Sequence, residues 1–88
     1  MIKSKISGVG YYVPENVVRN SDIEEMMDTS DQWIRERTGI EERRWVNDDK
    51  LSTSLMATYA SEAAINDAGI NKNEIDFIIF STLSPDYY

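Results

Sequence analysis

Residues 28–44, DTSDQWIRERTGIEERR, constrain the fold of this chain most, because they carry signals for both ends of one short helix. Thr29 followed three positions later by Gln32 fits a capping box, in which the threonine hydroxyl accepts a hydrogen bond from an amide of the first turn. Gly39 can take the left-handed conformation that is common just past a helix end. These signals predict a helix over residues 30–38, followed by an extended segment.

Two side-chain pairs on this helix have the spacing at which helical neighbours meet. Asp31 and Arg35 predict an ion pair on the solvent side. Trp33 and Arg37 place an indole beside a guanidinium, and this pair has two interpretations. In the first, Trp33 packs against a sheet and the arginine stem covers the ring. In the second, a flat aromatic beside a cation, near the free amides of a helix N-terminus, binds an adenine with attached phosphates. Residue chemistry leaves both open.

Strand and helix patterns alternate along the rest of the chain. Residues 3–13 alternate in polarity as far as Val9 and predict a strand with close backbone packing at its glycines. Ser21 with Glu24 fits a second capping box, at the start of a short helix. Residues 75–82, IDFIIFST, form a near-continuous apolar run, which is typical of a parallel strand covered on both faces.

A longer helix is predicted between these two strands. Ser52 or Thr53 is its expected N-cap, Gly69 marks its end, and alanines on one face allow close approach to its neighbours. A helix between two strands is the βαβ pattern, which needs a parallel neighbour and a right-handed crossover. An average sheet has about five or six strands, which is more than the strands predicted for this chain. We therefore expect more of the sheet to come from residues outside this chain.

Composition excludes several functional classes. The chain has 88 residues, enough for one domain, and a net charge of −7 that argues against nucleic acid or an anionic membrane as partner. It has no cysteine, hence no disulfide framework and no thiolate metal site. No apolar run approaches the roughly 20 residues of a membrane span, and the first residues lack a signal-peptide core. Glu24, Glu25 and Asp28 are interpreted as a solvated face, not a metal site. A cytoplasmic protein is expected.

Residues 28–44 resemble the segment D-T-S-D-E-W-I-x-x-R-T-G-I-x-E-R-R of the β-ketoacyl-acyl-carrier-protein synthase III family, condensing enzymes that start fatty-acid synthesis from an acyl-CoA. The opening SKISGVGYYVPENVVRNSDIEEMMDTSDQWI looks like the first strand and helix of that family. AINDAGINKNEIDFIIFSTLSPDYY looks like its A-G-I-x-x-x-x-I-D-x-I-I-x-x-T-x-x-P-D run. The resemblance covers essentially the whole chain. It implies an α/β fold, with residues 1–88 forming the N-terminal portion of the first half of a thiolase-like fold, a mixed sheet flanked by helices.

The resemblance also implies a binding role for four residues. It implies that Trp33 stacks on the adenine of CoA, that Arg37 lies by its adenine and phosphate end with Thr38 beside it, and that Thr29 contacts the adenine edge. Acyl-CoA is then a substrate, and no tightly bound cofactor is expected. A second arginine that closes the stack in the family lies far downstream and has no counterpart here.

The catalytic residues of the family are absent from this sequence. Family members form an acyl thioester on a cysteine, assisted by a histidine and an asparagine, whereas this chain has neither cysteine nor histidine. Serine, tyrosine and aspartate cannot replace a thiolate with an imidazole partner. We therefore expect an N-terminal piece, inactive alone, of an enzyme that condenses acyl-CoA with malonyl-acyl-carrier-protein. Acyl carrier protein and a second copy of the enzyme are the further partners that the resemblance implies.

Two other functions stay open. One is a related condensing enzyme of the same superfamily, which makes a secondary metabolite or joins two acyl chains head to head. The other is a non-catalytic module that binds a nucleotide or a protein.

Arg43 and Arg44 form a basic spot that we interpret as surface pairing with Glu41, Glu42 or Asp48, with docking of the acidic carrier protein as the alternative.

Overall fold

A computed structural model describes residues 2–87, which divide into two compact units. One unit comprises the residues before Val13 together with those from Lys50 onward, and we call it the outer unit. The other, Val13–Asp49, we call the inner unit. In chain order the elements are strand β1 (Val17–Arg19), helix α1 (Asn20–Glu24), helix α2 (Asp31–Thr38), strand β2 (Glu42–Arg44), helix α3 (Thr53–Ala68) and a 3-10 helix (Lys72–Glu74).

The inner unit is built on a small antiparallel sheet. Strands β1 and β2 pair with Val18 opposite Arg43 and with Arg19 opposite Glu42. Arg19 and Glu42 form an exposed salt bridge of 3.6 Å across this pairing. Within residues 2–87, burial is confined to Val18 and Asn20, which are 5% and 1% exposed. The small core of the described residues therefore lies at β1 and at the start of α1.

Helix α1 begins differently from its predicted capping box. The helix starts at Asn20, directly after β1, and the amide of Arg19 donates to the carboxylate of Asp22 at 2.8 Å. Ser21 lies inside the helix, so its predicted capping role is wrong. The carboxylate of Glu24 accepts a hydrogen bond from the amide of Asp31 at 2.6 Å. The glutamate thus caps the next helix instead of its own.

Helix α2 confirms the predicted element, with its start displaced by one residue. The hydroxyl of Ser30 accepts from the amide of Trp33 at 3.1 Å, so Ser30 is the N-cap and the prediction of Thr29 is wrong. Gly39 takes the left-handed conformation, with φ 73°, and its amide donates to the carbonyl of Arg35 at 2.8 Å. The predicted end of the helix at Gly39 is confirmed.

Helix α3 of the outer unit has the predicted limits. The hydroxyl of Ser52 caps it by accepting from the amide of Leu55 at 3.1 Å, and Gly69 ends it with φ 69°. The chain at Gly8 and Gly10 lies directly against this helix. A Cβ added at Gly10 would fall 2.4 Å from the backbone nitrogen of Ala64, so only glycine fits there. The predicted close packing at these glycines is confirmed.

The two long strands predicted on either side of α3 are not formed within the described chain. Residues 3–13 and residues 75–82 do not pair in a β-ladder. The predictions of these two strands and of the βαβ unit are therefore wrong for the described chain. A β-strand forms only beside a partner strand, and the described part of the chain offers these segments no partner strand. Phe77, Ile78 and Ile79 are accordingly 81%, 79% and 85% exposed.

None of the helices found in residues 2–87 is long and apolar enough to cross a membrane.

Candidate functional site

The ring of Trp33 and the guanidinium of Arg37 lie side by side on α2. The central guanidinium carbon is 5.4 Å from the ring centroid, within the range of a cation–π contact. Trp33 is 54% exposed. More than half of the accessible surface of this residue is therefore open in the inner unit. The indole is accessible to a second flat molecule.

The two arginines of α2 have different partners. Arg35 is bound to the Asp31 carboxylate at 2.9 Å, as predicted from their spacing. Arg37, in contrast, has no carboxylate within 4.0 Å among residues 2–87, and its recorded contact is with the Trp33 ring. An arginine with an uncommitted guanidinium can bind a phosphate through two parallel hydrogen bonds. Arg37 therefore carries the positive charge that this site offers to an anion.

Two N-terminal amides of α2 are engaged, although free amides were expected there. The amide of Asp31 donates to the Glu24 carboxylate, and that of Trp33 donates to Ser30. A carboxylate already occupies the positive end of the helix dipole and would repel a phosphate there. The expectation fails at Asp31 because Glu24 belongs to a different helix, and local spacing does not reveal a contact between helices. Arg37 in the last turn is electrostatically a more favourable place for an anion than the start of the helix.

The two predicted threonines have unequal surroundings. Thr29 is half-buried and lines an open depression together with Trp33 and with Met27, Asp28 and Ser30. Thr38 uses its hydroxyl within the helix end, donating to the carbonyl of Ile34 at 2.7 Å and accepting from the amide of Ile40 at 3.0 Å. The structure thus places Thr29 and Trp33 at the same depression. Its geometry gives Thr38 a role in shaping the end of α2.

Asn20 is the residue that sequence reasoning missed. Its amide nitrogen donates to the Asp31 carboxylate and to the carbonyl of Ile40, both at 2.8 Å, and its amide oxygen accepts from Arg43 at 2.7 Å. A single sequence carries no signal that this asparagine is buried with three partners on distant segments.

Hydrogen bonding also changes the acidity of Asp31. The bond donated by Asn20 lowers the pKa of the Asp31 carboxyl most, and the hydrogen bond and charge of Arg35 lower it further. Partial desolvation acts in the opposite direction without reversing the shift. The carboxylate is therefore held in its charged form over a wider pH range than an ordinary aspartate.

The basic pair on β2 is structural. Arg43 donates to the carbonyl of Val18 at 3.2 Å as well as to Asn20, and Arg44 donates to the carbonyl of Pro14 at 2.8 Å. The predicted pairing of these arginines with Glu42 is wrong, because the strand register places Arg19 opposite Glu42.

A second polar cluster lies in the outer unit. The Asp86 carboxylate accepts hydrogen bonds from the hydroxyl and the amide of Ser54, and the hydroxyl bond is the main cause of a lowered pKa at Asp86. Thr53 binds the carbonyl of Ser84 at 2.7 Å. These bonds tie the start of α3 to the chain near Asp86. Within the described residues no group of three or more metal-ligating side chains comes together.

No protein-family model matches the chain. The sequence is nevertheless 57% identical over 81 residues to "Beta-ketoacyl-[acyl-carrier-protein] synthase III 1" of Bacillus anthracis, an alignment that covers 92% of this chain and 26% of that protein. It is 53% identical over 85 residues to "Beta-ketoacyl-[acyl-carrier-protein] synthase III" of Chlamydia pneumoniae, covering 97% of this chain and 25% of that protein. The chain therefore spans about a quarter of the length of the curated relatives it matches.

Solved structures give the same result. The chain is similar to the crystal structure of 3-oxoacyl-[acyl-carrier-protein] synthase III from Aquifex aeolicus, with a TM-score of 0.70 and 45% identity over 75% of this chain and 21% of that one. The synthase III structure from Thermus thermophilus gives a TM-score of 0.64 and 48% identity, over 72% of this chain and 19% of that one. The resemblance and the α/β, thiolase-like fold class predicted from the sequence are confirmed.

Proposed function

This chain is a homologue of the β-ketoacyl-[acyl-carrier-protein] synthase III family over nearly its whole length, and from this premise we propose that the complete protein is a condensing enzyme that starts fatty-acid synthesis. An acyl group passes from acyl-CoA to a cysteine thiolate, and CoA leaves. Malonyl-acyl-carrier-protein then loses carbon dioxide, and the resulting carbanion attacks the thioester carbonyl, which expels the cysteine thiolate and gives 3-oxoacyl-acyl-carrier-protein. The 88 residues contain no cysteine or histidine, so other residues supply the nucleophile and its partner.

Within that enzyme, this chain supplies the site for the adenine end of CoA. The observation that carries this proposal is the accessible Trp33 ring with the Arg37 guanidinium 5.4 Å from its centroid. Adenine stacks on the indole, and Arg37 binds a phosphate of the same ligand. Thr29, in the depression beside the ring, contacts the adenine edge, and Thr38 shapes the helix end next to Arg37.

The charges of α2 favour this division of roles. Arg35 is neutralised by Asp31, and Glu24 occupies the amide of the first helical residue. An anion that approaches α2 therefore meets its available cation at Arg37, one turn beyond the stacking ring. In a nucleotide-bearing ligand such as CoA, a flat base and phosphates are joined by a short spacer, so that one can meet the Trp33 ring while the other meets Arg37.

The reaction requires acyl-CoA and acyl carrier protein as substrates and needs no tightly bound cofactor. The family resemblance further implies a second copy of the protein, which completes a homodimer. The net charge of −7 disfavours nucleic acid and anionic membranes as partners, and the substrates are those of the cytoplasm.

Alanine variants of the two site residues test the proposal in the complete enzyme. Trp33→Ala and Arg37→Ala should each weaken CoA-substrate binding by about 1–3 kcal/mol, because each removes one of the two contacts with the adenine and its phosphate. The KM for acyl-CoA should rise about 5- to 150-fold, whereas an enzyme acylated beforehand should condense malonyl-acyl-carrier-protein at the normal rate.

Arg35→Ala is the matched control, since this arginine lies on the same helix but is bound to Asp31. Its KM for acyl-CoA should stay close to that of the unmodified enzyme. An unchanged KM in both Trp33→Ala and Arg37→Ala would remove the CoA assignment.

A further inference from the structure

We propose that Asn20 is a positioning residue that fixes both ends of α2 and so holds Trp33 and Arg37 in the geometry that CoA requires. This inference rests on the proposed function. Asn20 itself is 1% exposed and touches no ligand surface, so it acts through the helix and not on the substrate.

A single amide nitrogen reaches both ends of the helix. It donates to the carboxylate of Asp31, the first residue of α2, and to the carbonyl of Ile40, the residue after the closing glycine. Both distances are 2.8 Å, which is ideal for such bonds. The length and the direction of α2 are thereby fixed from one point.

The other side of the same amide is anchored in the sheet. Its oxygen accepts from Arg43 at 2.7 Å, and Arg43 in turn donates to the carbonyl of Val18 on β1. Because a guanidinium only donates, while the Asp31 carboxylate and a backbone carbonyl only accept, the amide has one chemically consistent orientation. Asn20 therefore joins α2 to the β1–β2 sheet in a fixed order of donors and acceptors.

Helix α2 depends on such tethers because it has little apolar anchoring. None of its residues, Asp31–Thr38, is buried. A second tether, the Glu24 carboxylate on the amide of Asp31, holds only the N-terminal end. Losing Asn20 would leave a carboxylate, a carbonyl and a guanidinium without their buried partner, and α2 would relax to rehydrate them. The first consequence is a displaced Trp33–Arg37 pair.

The test uses steady-state kinetics and thermal unfolding of the complete enzyme carrying Asn20→Ala. The KM for acyl-CoA should rise about tenfold, while kcat at saturating acyl-CoA and the KM for malonyl-acyl-carrier-protein change much less. Val18→Ala is the control for stability alone, because this buried residue lies on β1 and its apolar side chain makes none of the hydrogen bonds that hold α2. It should lower Tm without raising the KM for acyl-CoA.

A charge-swapped pair provides the rescue. Asn20→Asp keeps the acceptor for Arg43 but loses the two N–H donors. It should therefore raise the KM for acyl-CoA as Asn20→Ala does. If the alanine variant does not fold, Asn20→Asp tests the positioning role in its place. Combining Asn20→Asp with Asp31→Asn restores one bond with donor and acceptor exchanged, and should recover part of the KM.

The outcomes separate this inference from the proposed function. A lower Tm with an unchanged KM for acyl-CoA in Asn20→Ala and Asn20→Asp, while Trp33→Ala raises that KM, overturns the positioning role alone. An unchanged KM in Trp33→Ala and Arg37→Ala removes the CoA site itself and, with it, the role of Asn20.

Discussion

Trp33 and Arg37 show how far local spacing determines a binding site. Residues four positions apart on a helix meet whatever surrounds them, so the Trp33–Arg37 and Asp31–Arg35 pairs could be predicted from the sequence, and both are present. What the spacing could not predict is the contact between Glu24 and the first amide of α2, since those residues meet through the fold. That contact moves the expected anion from the start of the helix to its last turn.

Asp31 should make stability depend on pH in a narrow acidic window. Its folded-state pKa lies below the ordinary aspartate value of 3.8, chiefly because Asn20 donates to it. Between these two pKa values the unfolded chain binds more protons, so stability rises with pH across the window and then levels off. Below the folded-state pKa the contribution is lost.

Comparison of the complete protein with its Asp31→Asn variant measures this effect. The denaturant midpoint of the variant should be lower near neutral pH, and the difference should shrink as the pH falls through the window. A difference that is the same at pH 7 and at pH 2 would mean that the charge of Asp31 is not what stabilises the fold.

At the scale of the element, α2 and α3 were predictable because helix ends are local events. Gly39 and Gly69 end their helices in the left-handed conformation, and Ser52 caps α3. The predicted N-cap of α2 differs from the observed one by one residue, because the sequence has Thr29, Ser30 and Asp31 in succession and all three residue types can cap a helix. Only the backbone path decides among them.

Two adjacent substitutions should reveal which residue caps α2. Ser30→Ala should lower the free energy of unfolding by about 1 kcal/mol, because its hydroxyl satisfies the amide of Trp33. Thr29→Ala, one residue earlier, should cost a few tenths of that at most. Chemical denaturation of the complete protein gives both values. A larger loss for Thr29→Ala than for Ser30→Ala would contradict the observed cap.

The long strands could not be predicted correctly from their own residues. The apolar run at 75–82 has the composition of a covered parallel strand, but a ladder needs a neighbour, and the described chain provides none. The close backbone packing predicted at Gly8 and Gly10 is confirmed, because it depends only on α3, which lies within the same unit. Patterns that depend on a partner outside these residues are where the prediction fails.

For the molecule as a whole, the exposed apolar surface is the dominant fact. Val18 is the one buried hydrophobic residue among those described, whereas Phe77, Ile78 and Ile79 are largely exposed. Apolar strand segments without neighbours promote association with other chains. The curated relatives are about four times as long, since the chain covers 26% or 25% of them. We expect the additional residues of such a protein to cover this segment.

The 88 residues expressed alone should consequently bind hydrophobic dyes and self-associate. Light scattering after size-exclusion chromatography should show a mass above the 10.1 kDa of one chain, and thermal unfolding should lack a sharp transition. Replacing Phe77 and Ile79 together with lysine should reduce the association, because both are exposed and apolar in a segment without a strand partner. Asn73→Lys, at an exposed polar position, is the control and should change little. A monomer with a cooperative transition would instead favour the non-catalytic binding module, since the chain would then be stable without further residues.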